Sequence, residues 1–219
     1  MAVVTGVTAS AGSLDERVTR ERLAEFGARA TISALFAVLA VNIGAEFAKT
    51  GHLTGLLMLV SELLVVVLTV IRRRPAIVDR TISARIITGI SIVGVLFIRT
   101  GGNPVVSDAA TATLLALGLA IIVTGKVTLG RSFGLMPANR GIVCRGLYRI
   151  VRHPIYAGYL IAHTGFAIAH PTPWNIWLFL VSDSALLIRA KYEERTLMQD
   201  PQYAAYMTSV PWRILPRVF

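Results

Sequence analysis

The residues best equipped for chemistry fall in two short stretches of the C-terminal third. The first is Val151-Arg152-His153-Pro154-Ile155-Tyr156-Ala157-Gly158. Proline suits the first position of a helix, where its missing N–H would have no partner anyway, so Pro154 opens a helix. Such an end carries unpaired N–H groups and a partial positive charge, and it can hold a carboxylate or phosphate. Tyr156 can donate a hydrogen bond there, and Gly158 lets a ligand or a neighbouring helix come close. The second stretch is Arg189-Ala190-Lys191-Tyr192-Glu193-Glu194-Arg195-Thr196-Leu197. Arg189 and Glu193 are four apart and share one helix face. On residue types alone, an ion pair with snorkelling basic side chains accounts for them without any ligand. The four histidines and single cysteine have no metal-ligand spacing, so no metal is expected. Cys144 reads as a small packed residue.

These stretches must be positioned by a very apolar chain. Of 219 residues, 54% are hydrophobic and 16% charged. That excludes disorder and leaves too little charge for the surface of a soluble enzyme. The apolar residues come in blocks: Ala28–Ala48, Leu53–Ile71, Ile82–Ile98 and Ala109–Leu129. Each is long enough to approach the ~20 helical residues that cross a bilayer. Two shorter runs, Pro154–Ala169 and Trp174–Ile188, are joined by His170-Pro171-Thr172-Pro173 and predict a helical hairpin. The expected fold is therefore an all-α integral membrane protein with about six transmembrane helices. Residues 1–27 form a cytoplasmic or interfacial segment and 28–129 four spans. Residues 130–219 form the connector, hairpin and C-terminal helix. Ser13-Leu14-Asp15-Glu16 fits a capping box for a surface helix over Leu14–Gly27, not a signal peptide.

The formal charge of +10 tests this topology. With a cytoplasmic N-terminus, 20 of the 22 Lys and Arg fall on the inner side, and only Lys49 and Arg99 fall outside. That asymmetry is the positive-inside rule. It places both termini in the cytoplasm and removes the need for nucleic acid as the basic chain's partner. Asn42, Glu46, Glu62, His163 and Asp183 lie in or near spans. Interhelical hydrogen bonds are the expectation for Asn42, Glu46 and His163, while Glu62 stands even between structure and function. Gly89, Gly94, Gly118 and Gly125 are expected to be close-packing positions. Tyr203, Tyr206, Pro211 and Trp212 predict an interfacial cap.

Taken in order, Gly146-Leu147-Tyr148, the Arg152-His153-Pro154-Ile155-Tyr156-Ala157-Gly158 run, Glu193-Glu194, Leu197, Tyr203, Tyr206 and Val210-Pro211 resemble the isoprenylcysteine carboxyl methyltransferase family and its phospholipid methyltransferase relatives. The lead-in Leu129-Gly130-Arg131-Ser132-Phe133 is similar to bacterial members. Two departures are mild: Leu147 replaces a usual proline or valine, and Asp200-Pro201-Gln202-Tyr203 a Gly-Glu-x-Tyr. The resemblance covers about the last 90 residues (130–219). It implies a cytoplasmic-side pocket for S-adenosylmethionine, in a bacterial inner membrane. Carried over by motif, cofactor contacts fall at Tyr148, His153, Pro154, Ile155, Tyr156 and Glu193, and at Arg140, Gly141, Ile142 and Val143 by position. Arg189 matches the position facing the substrate carboxylate.

The residue types suit methyl transfer, an in-line displacement that needs alignment and desolvation more than a strong base. The acceptor would be a lipophilic small molecule or lipid reaching the site from the bilayer. Arg189 would orient a carboxylate, whereas a thiol, phenol or amine would want a base. Two other classes remain open at this level. One is a membrane NADPH-dependent reductase of the sterol-reductase type. The other is a non-enzymatic binding or transport bundle.

Overall fold

In the computed structural model, residues 53–93, 97–99 and 102–218 are described, with isolated positions between 19 and 48 that are all helical. The expected N-terminal cap, most of the helix after it, parts of the first span, and Asn42, Glu46, Lys49 and Gly94 lie outside the described residues, as does the side chain of Glu62.

Six α-helices occur among the described residues: α1 (Leu53–Ile71), α2 (Ile82–Val93), α3 (Asp108–Leu129), α4 (Pro154–Ala169), α5 (Pro173–Leu197) and α6 (Pro201–Ser209). Their ends follow local chemistry. Arg72-Arg73-Arg74-Pro75 stops α1, because proline bars the helical conformation at the residue before it. Thr81 caps α2, its Oγ1 accepting from the Ala84 N–H at 3.3 Å. Gly130, at φ +52°, takes the chain out of α3 through a conformation that disfavours side chains. α4, α5 and α6 each begin on a proline. The caps of α5 and α6 are Thr172, accepting from the Asn175 N–H, and Asp200, accepting from the Gln202 N–H.

The hairpin α4–α5 and the fourth span match their sequence blocks closely, but two features differ from expectation. The third span was expected to run to Ile98. Instead Phe97 lies in a 3-10 turn, and the buried side chain of Asn175 grips the Arg99 backbone on both its N–H (3.0 Å) and its C=O (2.7 Å). Those bonds tie the chain at Arg99 to α5. The last span and the polar stub after it form one continuous 25-residue helix. The all-α expectation also misses a two-residue antiparallel pair, β1 (Ile77–Val78) with β2 (Ala138–Asn139), in register Ile77↔Asn139. It ties the arginine loop after α1 to the connector. α4, at 16 residues, is shorter than a full perpendicular crossing needs. The run Asp108–Ser132 alone, among the described residues, is long and apolar enough to cross a membrane.

α3 pairs most extensively with α4 and also with α1, while α2 lies on α5. The core joins Val65 and Leu68 of α1, Leu119 and Ile122 of α3, Ile155 and Tyr156 of α4, Leu186 and Ala190 of α5, and Ile214 of the tail. Lys126 is fully buried in it, its Nζ bound to Ser61 Oγ at 2.7 Å. Outward faces are equally apolar: Val60, Leu63, Val67 and Val70 on α1 and Ile82, Ile86 and Ile90 on α2 are exposed. Runs of that size mark a surface covered by something other than water.

The glycines divide. A Cβ at Gly158 would sit 2.7 Å from the Gly118 carbonyl oxygen, and one at Gly118 would sit 2.7 Å from that of Gly158. Here the two helix backbones touch. Gly125 is pressed by Ile155 in the same way, but Gly89 has nothing within 4 Å and is not a packing position. Gly158→Val is expected to cost about 1–3 kcal/mol or more through overpacking. Gly89→Ala should be neutral or slightly stabilising, because alanine is the better helix former. Thermal unfolding of the detergent-solubilised variants checks both.

Candidate functional site

Three segments converge at the end of the bundle where α1 and α3 stop and α4 starts. The connector is the first. Gly141, at φ +100°, turns it sharply, and its N–H is held by Asn139 Oδ1 at 2.9 Å. The side chain of Asn139 also reaches Asp200 Oδ2 at 2.8 Å, linking the connector to α6. Arg140 is buried, its guanidinium lying where a side chain on Gly134 would be. Tyr148, in the 3-10 turn Gly146–Arg149, is buried and accepts a 2.6 Å hydrogen bond on its C=O from the Tyr206 hydroxyl.

The second segment is the start of α4, strapped down by the tail. Arg152 N–H donates to the Trp212 C=O (2.9 Å) and His153 N–H to the Arg213 C=O (2.7 Å). The Arg152 guanidinium adds bonds to the Val210 and Pro211 carbonyls. Its Nε meets Glu194 Oε1 at 2.8 Å, and Arg213 Nε meets Oε2 at 2.8 Å. His153 Nε2 lies 3.3 Å from the same carboxylate. Burial would push the Glu194 carboxyl up, but hydrogen bonds from His153, Arg152 and Arg213 outweigh it and hold its pKa at about 2.

The third segment is the inner end of α5. Tyr156 Oη donates to Glu193 Oε1 at 2.5 Å, and Arg189 Nε donates to the same oxygen at 3.1 Å. The Arg189 guanidinium lies 5.5 Å from the Tyr156 ring centre. His153 stacks on Tyr156 at 5.2 Å, with its Nδ1 3.7 Å from Glu193 Oε2. The ion pair that residue types alone suggested for Arg189 and Glu193 therefore exists, and it is aimed at α4.

Between the segments lies a cavity of about 680 Å³. Arg140, Gly141, Ile142 and Val143 line it from the connector, with Tyr148 beside them. His153, Ile155 and Tyr156 line it from α4, and Arg189 and Glu193 from α5. Pro154 is the exception: it is fully buried and does not line the cavity. The start of α4 is also a weaker anion holder than its sequence suggests. Pro154 has no N–H, and those of Tyr156 and Ala157 already bond the His153 C=O. Cys144 is exposed in the connector turn, not packed. Tyr203 and Tyr206 point inward against Val210, not out to a membrane interface.

Residues 107–205 match the family model for phospholipid methyltransferases. Protein-S-isoprenylcysteine O-methyltransferase B of Arabidopsis thaliana is 31% identical over 113 residues, covering 45% of this chain and 54% of that protein. Protein-S-isoprenylcysteine O-methyltransferase A of the same plant is 33% identical over 114 residues, covering 42% of this chain and 55% of that protein. Over this stretch the chain is similar to phospholipid and isoprenylcysteine methyltransferases. The chain spans about half the length of these relatives. The methyltransferase-like stretch contains all eleven singled-out positions, from Arg140 to Glu193.

Sequence reasoning assigned no individual role to Arg152 or Glu194, although both sit in the methyltransferase-like motifs. It also missed Tyr159, His163 and Tyr203 on the cavity wall. The Tyr203 hydroxyl is buried and has no hydrogen-bond partner among the described residues. A signal existed: Tyr203 and Tyr206, three apart, must share one face of a short helix. Because Glu194 has a lowered pKa, it stabilises the fold above its ordinary pKa near 4.5 and loses that effect as pH falls toward 2. Glu194→Gln should cost about 3–5 kcal/mol at neutral pH by leaving buried Arg152 uncompensated. That difference from the parent protein should close between about pH 4.5 and 2, as read from unfolding midpoints across pH.

Proposed function

We propose that the chain is a membrane-embedded S-adenosylmethionine-dependent methyltransferase acting on a lipophilic acceptor. The single observation that carries this reading is the composition of the cavity. Its walls combine polar side chains, Tyr148, His153, Arg189 and Glu193, with apolar ones, Val65, Ile92 and Leu186. A hydrophilic methyl donor and a lipophilic acceptor would each find matching walls in one enclosure. The buried Tyr203 hydroxyl supports a ligand in this enclosure, since an unpaired buried donor is costly until something accepts from it.

S-adenosylmethionine supplies a methyl group on a sulfonium centre. Glu193 would accept hydrogen bonds from the ribose or the amine. Ile142 and Val143 would flank the adenine, and the hydroxyls of Tyr148 and Tyr203 would meet polar atoms of the donor. Tyr156 and Arg189 hold the Glu193 carboxylate in one position, so it would not have to be ordered at binding. Arg189 would orient an acceptor that carries a carboxylate. The tail strapped over Arg152 would keep water from the mouth, which suits a displacement in which charge is cancelled.

The same reading sets the topology: six crossings with both termini and the site on the cytoplasmic side of a bacterial inner membrane. Two features support it. Apolar side chains cover the outer faces of α1, α2 and α5. The basic side chains gather at the site end, where Arg73 N–H bonds the Arg131 C=O and Arg131 Nε bonds the Ile71 C=O. The opposite end has Arg99 over Trp174, a pairing suited to a membrane interface.

Calorimetry in detergent or nanodiscs should find S-adenosylmethionine bound with a Kd between about 1 μM and 1 mM, the ordinary span of enzyme substrates. Tyr156→Phe should weaken binding several-fold through the loss of one hydrogen bond to a charged group, and Glu193→Ala by at least about tenfold. Binding equal to that of the parent protein in both variants would displace the site. Consumption of NADPH without methyl transfer would replace the reading by a reductase. A reporter fused after Phe219 should be active in the cytoplasm, and periplasmic activity would overturn the six-crossing topology.

A further inference from the structure

The cavity does not end at the polar mouth. Along α4, Tyr156, Tyr159 and His163 follow at intervals of three and four, so one helix face lines it continuously. His163 lies seven residues, about 10 Å, deeper than Tyr156. Its Nδ1 is 2.6 Å from Asp183 Oδ1 on α5. Its ring is stacked between Tyr159, at 5.9 Å, and Phe179, at 4.8 Å. The interhelical bond expected for His163 is thus present, but it uses only one ring nitrogen. Among the described residues nothing bonds Nε2.

A carboxylate on Nδ1 holds the proton there and fixes the ring's orientation, which leaves the Nε2 lone pair as an acceptor. Purely structural cross-linking of α4 to α5 would be served by any buried hydrogen bond and would not need a ring on the cavity wall. The other titratable groups nearby are few. Tyr159 stands on the same helix, and Lys126 of α3 lies 5.9 Å from the Tyr159 ring centre, engaged by Ser61 of α1. Around them the cavity is apolar, so a lipophilic guest entering from the bilayer meets one basic nitrogen beyond the polar mouth.

Resting on the methyltransferase reading, we propose that the His163–Asp183 pair is the proton acceptor for the methyl acceptor. That acceptor is then a lipophilic molecule whose nucleophilic atom carries a proton, as in a phenol, thiol or amine, and not an already ionised carboxylate. The heteroatom forms its bond to the methyl carbon, the methyl–sulfur bond breaks with its electron pair left on sulfur, and the proton passes to Nε2. Asp183 stabilises the imidazolium so formed, and the proton returns to water when the product leaves.

The probe is a long-chain alkylphenol added to the full-length protein in nanodiscs. With ¹⁵N-labelled histidine and no methyl donor present, the phenol should shift the His163 Nε2 resonance. Asp183→Asn keeps a hydrogen bond to the ring but favours the opposite tautomer, and should abolish the shift. His163→Gln and Asp183→Asn should each lower kcat for methylation of the phenol by roughly 10²–10⁴-fold, the usual contribution of a general base. KM for the phenol should stay within a few-fold, and S-adenosylmethionine should bind as in the parent protein, which also shows that the variants fold. Several results would overturn the proposal: no resonance shift, unchanged kcat in both variants, an effect on KM alone, or transfer confined to carboxylic acids. Failure to bind S-adenosylmethionine would instead sink the methyltransferase reading, and the phenol titration would still decide whether the pair takes a protic guest.

Discussion

One buried carboxylate organises the inner end of this protein. Glu194 is 5% exposed and receives Arg152, Arg213 and His153. The carboxylate sits on α5 and its partners come from two stretches distant in sequence: the start of α4 and the tail beyond α6. Removing a carboxylate and a guanidinium from water is expensive, and the expense is recovered only if every polar atom finds a partner in good geometry. Arg152 meets that condition with bonds to Glu194 and to the Val210 and Pro211 carbonyls. The tail is therefore held at its backbone, which fixes its position more tightly than side-chain contacts alone would. Everything proposed for the cavity assumes that this closure holds, because the tail pins the start of α4, and His153, Ile155 and Tyr156 there line the cavity.

Adjacent acids on one helix take different work because successive residues point about 100° apart. Glu194 faces the tail and is consumed in holding the fold. Glu193 faces Tyr156 and the cavity and keeps capacity to accept from a ligand. The same division separates Arg152 from His153, one turned to the tail and the other stacked on Tyr156.

Much of the architecture was legible because it rests on local rules. Proline at Pro154, Pro173 and Pro201 marks three helix starts, and the apolar blocks mark the helices that α1, α3 and α4 realise. The convergence of Tyr156, Arg189 and Glu193 was legible only through their resemblance to a family pattern. Spacing alone allowed an ordinary ion pair, and the ion pair is there. What stayed hidden depends on contacts distant in sequence. The β1–β2 pair is two residues long and has no periodic signal. Asn175 holds the Arg99 backbone from 76 positions away. The His163–Asp183 bond joins residues that each look like an isolated polar interruption in an apolar run. The inward turn of Tyr203 and Tyr206 was misread because an aromatic near a membrane-like segment looks the same whether it faces lipid or a buried carboxylate.

The contact between Gly118 and Gly158 bears on how a bulky guest gets in. Two helices whose main chains already touch have no side chains left to swing aside, so that seam is a welded one. Any doorway from the lipid must open along the other joints of the barrel of helices, where long flexible residues separate neighbours and thermal breathing can part them. For the lipophilic acceptor proposed above, enlarging the site would therefore call for changes on the α1, α2 and α5 faces.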